Sequence, residues 1–318
     1  MKKFILQIAK FSLVLLVLLV AGLLFTASYI SNKSNFKIPD YADKIIIGHS
    51  HPECAFNDSL ITNTINIAQS GESYFYSYYK VKQLLQQNKN IKYVFVEFTN
   101  NQIEKKMEEW IWSGLFLSYK YHTYAPFIDY QGNSLLMKNN PKSLLKLQIK
   151  TLLNNIKVIL FKDYDYARKT GGYLYLGKSK TDSLIKLKDI TIGKNEIHEL
   201  LPIENLAYLD RIVNLCQIKG VKVILLRSPL HKKYPGIKNE NEFKKLLTVK
   251  YRHIHFLDFK NFPLQDEEFA DLEHLNFKGA KKFSAFFNDL LAHGLMDVPD
   301  QQKTIDRKIS LAHFAVAK

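Results

Sequence analysis

The strongest constraint on the fold of this chain is an uncharged, apolar run of twenty residues from Phe11 to Ile30, FSLVLLVLLVAGLLFTASYI. An α-helix needs about 20 apolar residues to cross the ~30 Å hydrocarbon core of a bilayer. Lysines precede the run, which favours a cytoplasmic N-terminus, although Lys33 and Lys37 follow it and weaken the contrast. We therefore predict a transmembrane signal anchor over residues 1–30.

The alternative is a signal peptide that is cleaved near the small residues Ala27 and Ser28. The apolar region of such a peptide is usually ~7–15 residues long, so the length of the run favours the uncleaved anchor. Either way, we expect a polar tether over residues 31–43 and then an exported domain. The predicted location is the cytoplasmic membrane, crossed once, with the C-terminal domain on the periplasmic or extracellular side.

The formal charge of +15 does not indicate a nucleic-acid-binding protein. Nearly all of the basic residues are Lys, whereas Arg is the side chain that reads guanine edges and narrow grooves. The lysines are scattered along the chain and match no helix-turn-helix or RRM pattern. Attraction to an anionic membrane or envelope polymer is the better interpretation.

Short apolar segments alternate with helical patterns from Lys44 onwards. Strands are predicted over residues 44–50, 65–68, 93–99, 221–226 and 254–259. Helices are predicted over residues 74–88, 206–219 and 278–291. Continuous apolar strands separated by helices are typical of a parallel sheet that is covered on both faces. We predict an α/β fold, a three-layer α/β/α sandwich with a central parallel sheet, over residues 44–295, followed by a polar tail over 296–318.

Polar residues follow several of these strands, at the sheet edge where ligands bind in open parallel sheets. Ser50 ends the first strand after Gly48, where a tight turn can expose its hydroxyl. Asp271 and His274 lie three positions apart after the last strand. A serine nucleophile needs a base, and an imidazole oriented by a carboxylate supplies one. If the fold joins the two regions, the sequence predicts a catalytic triad of Ser50, His274 and Asp271.

Acyl transfer to a serine also needs donors for the tetrahedral oxyanion, each worth ~3–4 kcal/mol. The backbone N–H of Ser50 is one candidate. The N–H of Gly71, after the second strand, is another because no side chain blocks the approach to it. Asn100, after the third strand, offers a side-chain amide, and the adjacent Asn101 is the alternative.

A metal site is a competing interpretation of the residues around the serine. His49 and His51 flank it and Glu53 follows, and these ligand types suit Zn²⁺. On an extended segment the three side chains would point to one side. We favour structural roles, with His49 as a buried, hydrogen-bonded histidine and His51 in a capping or hydrogen-bonding role at the following helix, and predict no metal and no cofactor.

The order of these motifs resembles the SGNH/GDSL hydrolase superfamily. The resemblance rests on Gly-x-Ser after the first strand, Gly after the second, Asn after the third and Asp-x-x-His near the end, over residues 44–101 and 205–291. With the membrane anchor, the Gly-His-Ser-His and Asp-x-x-His-Leu-Asn motifs look most like bacterial envelope proteins of the DltD and alginate-acetylation type. Those proteins act in acyl transfer onto cell-surface polymers.

The resemblance implies that Ser50 is the nucleophile, that Asp271 and His274 are its partners, and that Gly71 and Asn100 are oxyanion donors. The chain departs from the family pattern in two places. A histidine stands for the Asp of Gly-Asp-Ser, which is not a triad member, and the segment EFTNN stands for the usual Gly-x-Asn-Asp. The second departure leaves the choice between the two asparagines open.

Residues 103–202 interrupt the strand–helix alternation. The segment is rich in Tyr, Trp and Lys, and its helical pattern around 142–160 is amphipathic. We predict a helical insertion that covers the site or lies on the membrane. Its aromatic residues either pack a small core of their own or form a stacking surface for a ligand.

Besides a metal-dependent hydrolase that uses His49 and His51, two functions are compatible with these observations. The first is a membrane-anchored, exported serine esterase or O-acyltransferase of the SGNH type, whose substrate is an acylated cell-envelope polysaccharide or a lipid-linked carrier. The second is a non-catalytic accessory protein that uses the same fold to bind a multi-pass membrane acyltransferase. Loss of the oxyanion donors would favour the second.

Overall fold

The computed structural model describes residues 1–177 and 201–316, with side chains described as far as residue 311. The chain divides into two compact units. Unit 1 consists of Met1–Phe36 and Glu109–Lys169, and unit 2 of Lys37–Glu108 and Thr170–Lys318.

Unit 2 contains a five-stranded sheet in the order β2-β1-β3-β4-β5 with every pair parallel. The strands are β1 (Lys44–Ile47), β2 (Thr64–Asn66), β3 (Tyr93–Glu97), β4 (Lys222–Arg227) and β5 (His255–Asp258). Central residues such as Ile45, Val94 and Leu225 are fully buried. Burial of both faces of a strand explains the continuous apolar runs in the sequence. The prediction of an α/β fold with a parallel sheet is confirmed.

The helices of the described residues connect and flank these strands. In chain order they are α1 (Lys2–Lys33), α2 (Ser50–Ala55), α3 (Tyr74–Gln87), α4 (Glu109–Trp112), α5 (Gly114–Tyr124), α6 (Tyr130–Asn139), α7 (Pro141–Leu160), α8 (Tyr166–Lys169), α9 (Ile203–Ile218), α10 (Glu240–Val249), α11 (Phe277–Ala292) and α12 (Gln301–Val316). Short 3₁₀ helices lie at Asp58–Leu60, Asn100–Ile103, Lys105–Glu108, Pro235–Ile237, Asp266–Glu268 and Leu295–Asp297.

The C-terminal segment is part of the core of unit 2. The prediction of a polar tail over residues 296–318 is wrong, because α12 packs against β5 and buries Ile305 and Ile309. These side chains join an aromatic cluster that includes Phe259, Phe283 and Phe287. The isoleucines recur four positions apart, the spacing of one helical face, so α12 is amphipathic rather than polar.

Unit 1 begins with α1, which is long and apolar enough to cross a membrane by length and composition. It extends beyond the predicted anchor at its C-terminal end and reaches Lys33. The segment after it is not a free tether, since Phe36 is fully buried and packs on Phe127 and Tyr166 at ring-centroid distances of 5.1 and 5.6 Å.

Helices α4–α8 form the described part of unit 1 that falls within the predicted insertion. The compact unit covers residues 109–169 of the predicted 103–202, and residues 178–200 lie outside the described part of the chain. The side chains of Tyr121 and Tyr124 are buried, and Trp110 stacks on Phe116 at 5.0 Å. Most of these aromatic residues therefore pack within the unit, whereas Tyr119 is exposed.

Candidate catalytic triad and the buried cluster beside it

A glycine at the end of β1 allows the chain to turn towards the candidate nucleophile. Gly48 has a φ of +151°, and a Cβ at this position would lie 2.5 Å from Cβ of Glu97 and 2.8 Å from Cγ of Pro52. No other residue fits this space. After the turn, Ser50 is the first residue of α2, so that its N–H has no acceptor within the helix.

A short, closed loop carries the acid and the base. An isolated bridge pairs Phe269 with Leu275 on either side of it. Asn276 caps α11 and accepts hydrogen bonds from the N–H groups of Lys278 and Gly279, at 2.9 and 3.3 Å. A Cβ at Gly279 would lie 2.2 Å from the carbonyl oxygen of Glu268. The cap and the glycine thus fix the loop against the first turn of α11.

The structure brings Ser50, His274 and Asp271 together across 224 positions of sequence. Oγ of Ser50 lies 2.7 Å from Nε2 of His274, and Nδ1 of His274 lies 2.9 Å from both carboxylate oxygens of Asp271. The contact with Asp271 assigns the proton to Nδ1, which leaves Nε2 to accept the hydrogen bond from the serine hydroxyl. The side chains of His274 and Asp271 are 21% and 34% exposed, so the base faces solvent.

Asp271 is held in its ionised form by its surroundings. Burial by itself would raise its pKa, but the hydrogen bond and charge of His274 and two backbone N–H donors lower the pKa below its usual value. Those donors are the amides of Glu273 and His274, at 2.7 and 2.9 Å. A carboxylate fixed in this way orients the imidazole and stabilises its charged form, as a serine nucleophile requires.

A second group of histidines and carboxylates lies directly behind the nucleophile and is fully buried. Oε1 of Glu97, at the end of β3, is 3.2 Å from Nε2 of His49 and 3.2 Å from Nδ1 of His51. Oε2 of Glu97 accepts the backbone N–H of His49 at 2.7 Å. On its other side, Nε2 of His51 is 3.7 Å from Oε2 of Glu273, a neighbour of the triad histidine in sequence. We call His49, His51 and Glu97 the buried cluster.

The two histidines of the buried cluster differ in charge. Burial lowers the pKa of His49 to about 4, so this ring is neutral at pH 7. Burial also acts to lower the pKa of His51, but Glu273 and Glu97 on its two sides outweigh it and raise the pKa to about 9. Burial would raise the pKa of Glu97, yet its contacts with the two histidines lower it. The cluster therefore holds an ion pair between Glu97 and protonated His51.

The buried cluster differs from the set of possible zinc ligands suggested by the sequence, which was His49, His51 and Glu53. Glu53 is not part of it, because its carboxylate accepts hydrogen bonds from the backbone and hydroxyl of Ser70. Glu97 takes its place, and one donor atom from each of His49, His51 and Glu97 lie within 4.8 Å of one another. Of the two roles expected for His51, capping is excluded because the residue lies in the first turn of α2; its ring faces the carboxylates of Glu97 and Glu273.

The candidate oxyanion donor Gly71 lies in a turn that is tied to α2. Glu72 N–H donates to the carbonyl of Gln69 at 3.2 Å, and Gly71 has a φ of +68° at the third position of this turn. The bond from Ser70 N–H to Glu53, at 2.8 Å, joins the turn to the helix that begins with the nucleophile. Gly71 is thereby placed at the same edge of the sheet as Ser50.

The structure separates the two asparagines that follow β3. The Asn100 amide donates to Asn239 and Glu240 at 3.0 and 2.9 Å, and its oxygen accepts from Arg227 at 2.7 Å. The expectation that the Asn100 side chain is an oxyanion donor is therefore not met, since both of its N–H groups are used elsewhere. The amide nitrogen of Asn101 instead lies 3.1 Å from Nε2 of His49, and the other ring nitrogen of His49, Nδ1, lies 3.4 Å from Oγ of Ser50.

Sequence reasoning did not identify Glu97, Glu273 and Arg227 as residues that contact and position the side chains around the site. Arg227 ends β4, is 1% exposed, and binds Glu240 and Asp258 as well as Asn100. Glu97 and Arg227 are each the charged last residue of an apolar strand. A charge in such a place has to find a buried partner, which is the signal that the sequence offered.

Comparisons with known proteins identify no family. A protein-family model matches residues 134–296 but carries no description. No curated protein matches the chain. Among solved structures, the chain is similar to "The structure of a putative platelet activating factor from Streptococcus pneumonia", with a TM-score of 0.41 and 13% identity over 89% of this chain and 99% of that chain. A likeness at this level establishes neither a family nor an activity.

Proposed function

We propose that the protein is a membrane-anchored, exported serine esterase or O-acyltransferase of the SGNH type, acting on an acylated cell-envelope polysaccharide or a lipid-linked carrier. The observation that carries the proposal is the hydrogen-bonded chain from Ser50 through His274 to Asp271 at the carboxyl end of a parallel sheet. A three-layer α/β/α arrangement of the helices about that sheet belongs to the same proposal.

The geometry supports the following reaction. Oγ of Ser50 attacks the acyl carbon of an ester while Nε2 of His274 takes its proton, and Asp271 stabilises the imidazolium. The N–H groups of Ser50 and Gly71 and the amide of Asn101 are the proposed donors to the oxyanion. His274 then returns the proton to the leaving alkoxide, which leaves the acyl group on Ser50.

The second half of the reaction uses the same residues in reverse. His274 takes a proton from water or from an acceptor hydroxyl, whose oxygen attacks the acyl–Ser50 ester. Collapse of the second tetrahedral intermediate returns the proton to Oγ of Ser50. Attack by water gives an esterase, and attack by a glycan hydroxyl gives an O-acyltransferase. No other part of the mechanism distinguishes the two.

Covalent labelling tests this proposal directly. A fluorophosphonate probe should label the full-length protein in detergent, Ser50→Ala should abolish the label, and the protein should hydrolyse a small acetyl ester at a rate that falls with the same substitution. Ser59→Ala is the matched control because Ser59 is an exposed serine whose partner is Asn57. A folded protein that takes no label would favour the non-catalytic accessory protein, whose proposed partner is a multi-pass membrane acyltransferase.

Anchoring through α1 is a separate part of the proposal. We propose that α1 crosses the cytoplasmic membrane once and that unit 2 lies on the exported side. The protein should stay with membranes during alkaline carbonate extraction, and a reporter fused after the last residue should be active only outside the cytoplasm. Recovery of a soluble form that begins near Ser28 would show cleavage instead.

A further inference from the structure

A buried lysine on α3 is bonded to the turn that carries Gly71. The side chain of Lys80 is fully buried. Its ammonium donates to Oε2 of Glu72 at 2.9 Å and to the carbonyl oxygens of Ile67 and Thr170 at 2.6 and 2.7 Å. An ammonium has three N–H groups, so these three acceptors use all of them. The proposed reaction gives this lysine no role.

Glu72, the residue after Gly71, is fixed through both its backbone and its side chain. Its N–H closes the turn by donating to the carbonyl oxygen of Gln69 at 3.2 Å. Its carboxylate, which is buried, accepts the hydroxyl of Ser77 at 2.7 Å as well as the ammonium of Lys80. Ser77 and Lys80 lie three positions apart on one face of α3. Two bonds to a rigid helix therefore limit the movement of the turn.

The same lysine joins the turn to two other segments of unit 2. Ile67 follows the last residue of β2, and its carbonyl oxygen is one of the three acceptors. Residues 170–172 pack closely on this segment, because a Cβ at Gly171 would lie 2.4 Å from the same carbonyl oxygen. Lys80 thus holds the end of β2, the turn and residues 170–172 at fixed distances from one another.

Stability alone does not explain a charged pair in this place. A buried ion pair can often be replaced by apolar side chains with little or no loss of stability. What the pair of Lys80 and Glu72 adds is direction, since three hydrogen bonds fix the ammonium and the ammonium fixes the carboxylate. A donor to an oxyanion has to be held within ~0.5 Å of its working position before the reaction begins.

We propose that Lys80 and Glu72 are positioning residues, which hold the N–H of Gly71 where it can donate to the oxyanion. Neither side chain contacts the substrate in this proposal; both act through the turn. The inference rests on the proposed function, in which the N–H of Gly71 is one of the oxyanion donors. It adds the two residues that keep this donor in place.

Turnover per active site in the full-length protein tests this inference. Glu72→Asp keeps both charges but shortens the side chain by one methylene, so the turn has to shift towards α3. The double change Lys80→Met and Glu72→Gln removes both charges together and leaves no buried charge without a partner. Ile305→Ala is the matched control, because it weakens the core beside β5, at the opposite edge of the sheet from β2. The end point of fluorophosphonate labelling counts the active sites, and hydrolysis of a small acetyl ester gives kcat per site and KM.

Both changes of the pair should lower kcat per labelled site by about 10–100-fold, with KM changed by less than about two-fold. Ile305→Ala should lower the thermal midpoint and keep kcat per site. If the pair variants behave like Ile305→Ala, the role of the pair is structural only and the inference is overturned. If neither pair variant folds, Ser77→Ala decides, because it removes one hydrogen bond to Glu72 and no charge. It should lower kcat per site a few-fold, and an unchanged kcat would overturn the inference.

A thionoester of the same acyl group separates the oxyanion donor from the nucleophile. Sulfur is a weaker hydrogen-bond acceptor than oxygen, so hydrolysis of the thionoester depends less on the N–H of Gly71. Glu72→Asp should therefore lower kcat for the ester several-fold more than for the thionoester. An equal fall for both substrates would mean that Ser50 itself has moved, and would overturn the inference. An unsubstituted protein that takes no fluorophosphonate label would instead contradict the proposed function.

Discussion

Two groups of histidine and carboxylate meet at Ser50, and they differ chiefly in their access to solvent. In the candidate triad, the side chains of His274 and Asp271 are 21% and 34% exposed, whereas those of His49 and Glu97 in the buried cluster are 1% and 0% exposed. Residue types and contact distances are similar in the two groups. Only in the first does an imidazole nitrogen face both a nucleophile and open space.

Burial separates a group suited to proton transfer from one that stabilises the folded structure. A general base has to exchange protons with a substrate, so it needs access as well as a carboxylate. The pair of Glu97 and protonated His51 is closed on all sides, and it connects the turn before Ser50 to Glu273 in the loop of His274. We interpret the buried cluster as a structural element that fixes the positions of Ser50 and His274 relative to each other.

The largest expected effect is the loss of activity when a residue of the candidate triad is substituted. Ser50→Ala and His274→Ala should each lower kcat/KM by on the order of 10⁴–10⁶, and the double variant should be little worse than either, because triad members act as a unit. Asp271→Asn should fold and fall by about 10⁴, since it disturbs the tautomer of His274. Ester hydrolysis by the purified variants measures all four.

If the buried cluster were the catalytic group and the triad were structural, the substitutions would affect activity differently. If His49→Asn removed activity together with a bound metal while Ser50→Ala kept it, the buried cluster would be the reactive group and the triad would not. Metal content by elemental analysis, measured on the same samples as the ester hydrolysis, distinguishes these outcomes.

The next effect concerns stability rather than turnover. Glu97→Gln should lower the free energy of unfolding by about 3–5 kcal/mol, because it leaves protonated His51 without its buried counter-ion. Glu273→Gln is the matched control: its side chain is 41% exposed, so the loss should be about 1 kcal/mol or less. Denaturant titration in detergent gives both values. Equal losses would show that the buried cluster is not the stronger contributor.

Substitutions of the two asparagines after β3 should also differ in the property that they change, which is turnover for Asn101 and stability for Asn100. Asn101→Ala should lower kcat by about 10²–10³ with little change in KM if its amide donates to the oxyanion. Asn100→Ala should instead lower stability, because its contacts are with Arg227, Asn239 and Glu240. Steady-state kinetics and thermal unfolding of both variants check the assignment. A loss of kcat in Asn100→Ala alone would reverse it.

Much of unit 2 could be predicted because its signals are local. Short apolar strands of three to six residues, Gly48 before Ser50, and Asn276 with Gly279 at the start of α11 each carry a backbone requirement that is visible in sequence. The role of Asn100 could not be predicted, since it is decided by Arg227, which lies 127 positions away. The burial of α12 was missed because its two inward isoleucines stand among charged residues.

The smallest expected effect is a dependence of stability on pH that has two branches. His51 has a folded pKa of about 9 and an ordinary value of 6.5, so its contribution is complete below pH 6.5 and is lost as the pH rises through 9. Its charge is set by Glu97 and Glu273, with the rings of His49, His274 and Tyr234 packed nearby. The loss should reach about 3 kcal/mol, at ~1.4 kcal/mol per pH unit.

His49 gives the other branch with the opposite sign. Its folded pKa of about 4 lies below 6.5, so between these values the unfolded chain binds a proton that the folded protein does not, and stability falls as the pH falls. The two branches together predict maximal stability near pH 6.5, measurable as the thermal midpoint in detergent across this range. His51→Gln should abolish the alkaline fall and keep the acid one, whereas His293→Gln, a change at an exposed histidine, should keep both. A midpoint that rose steadily from pH 6.5 to 9 would show that His51 is not charged in the folded protein, and the ion pair at the centre of the buried cluster would have to be withdrawn.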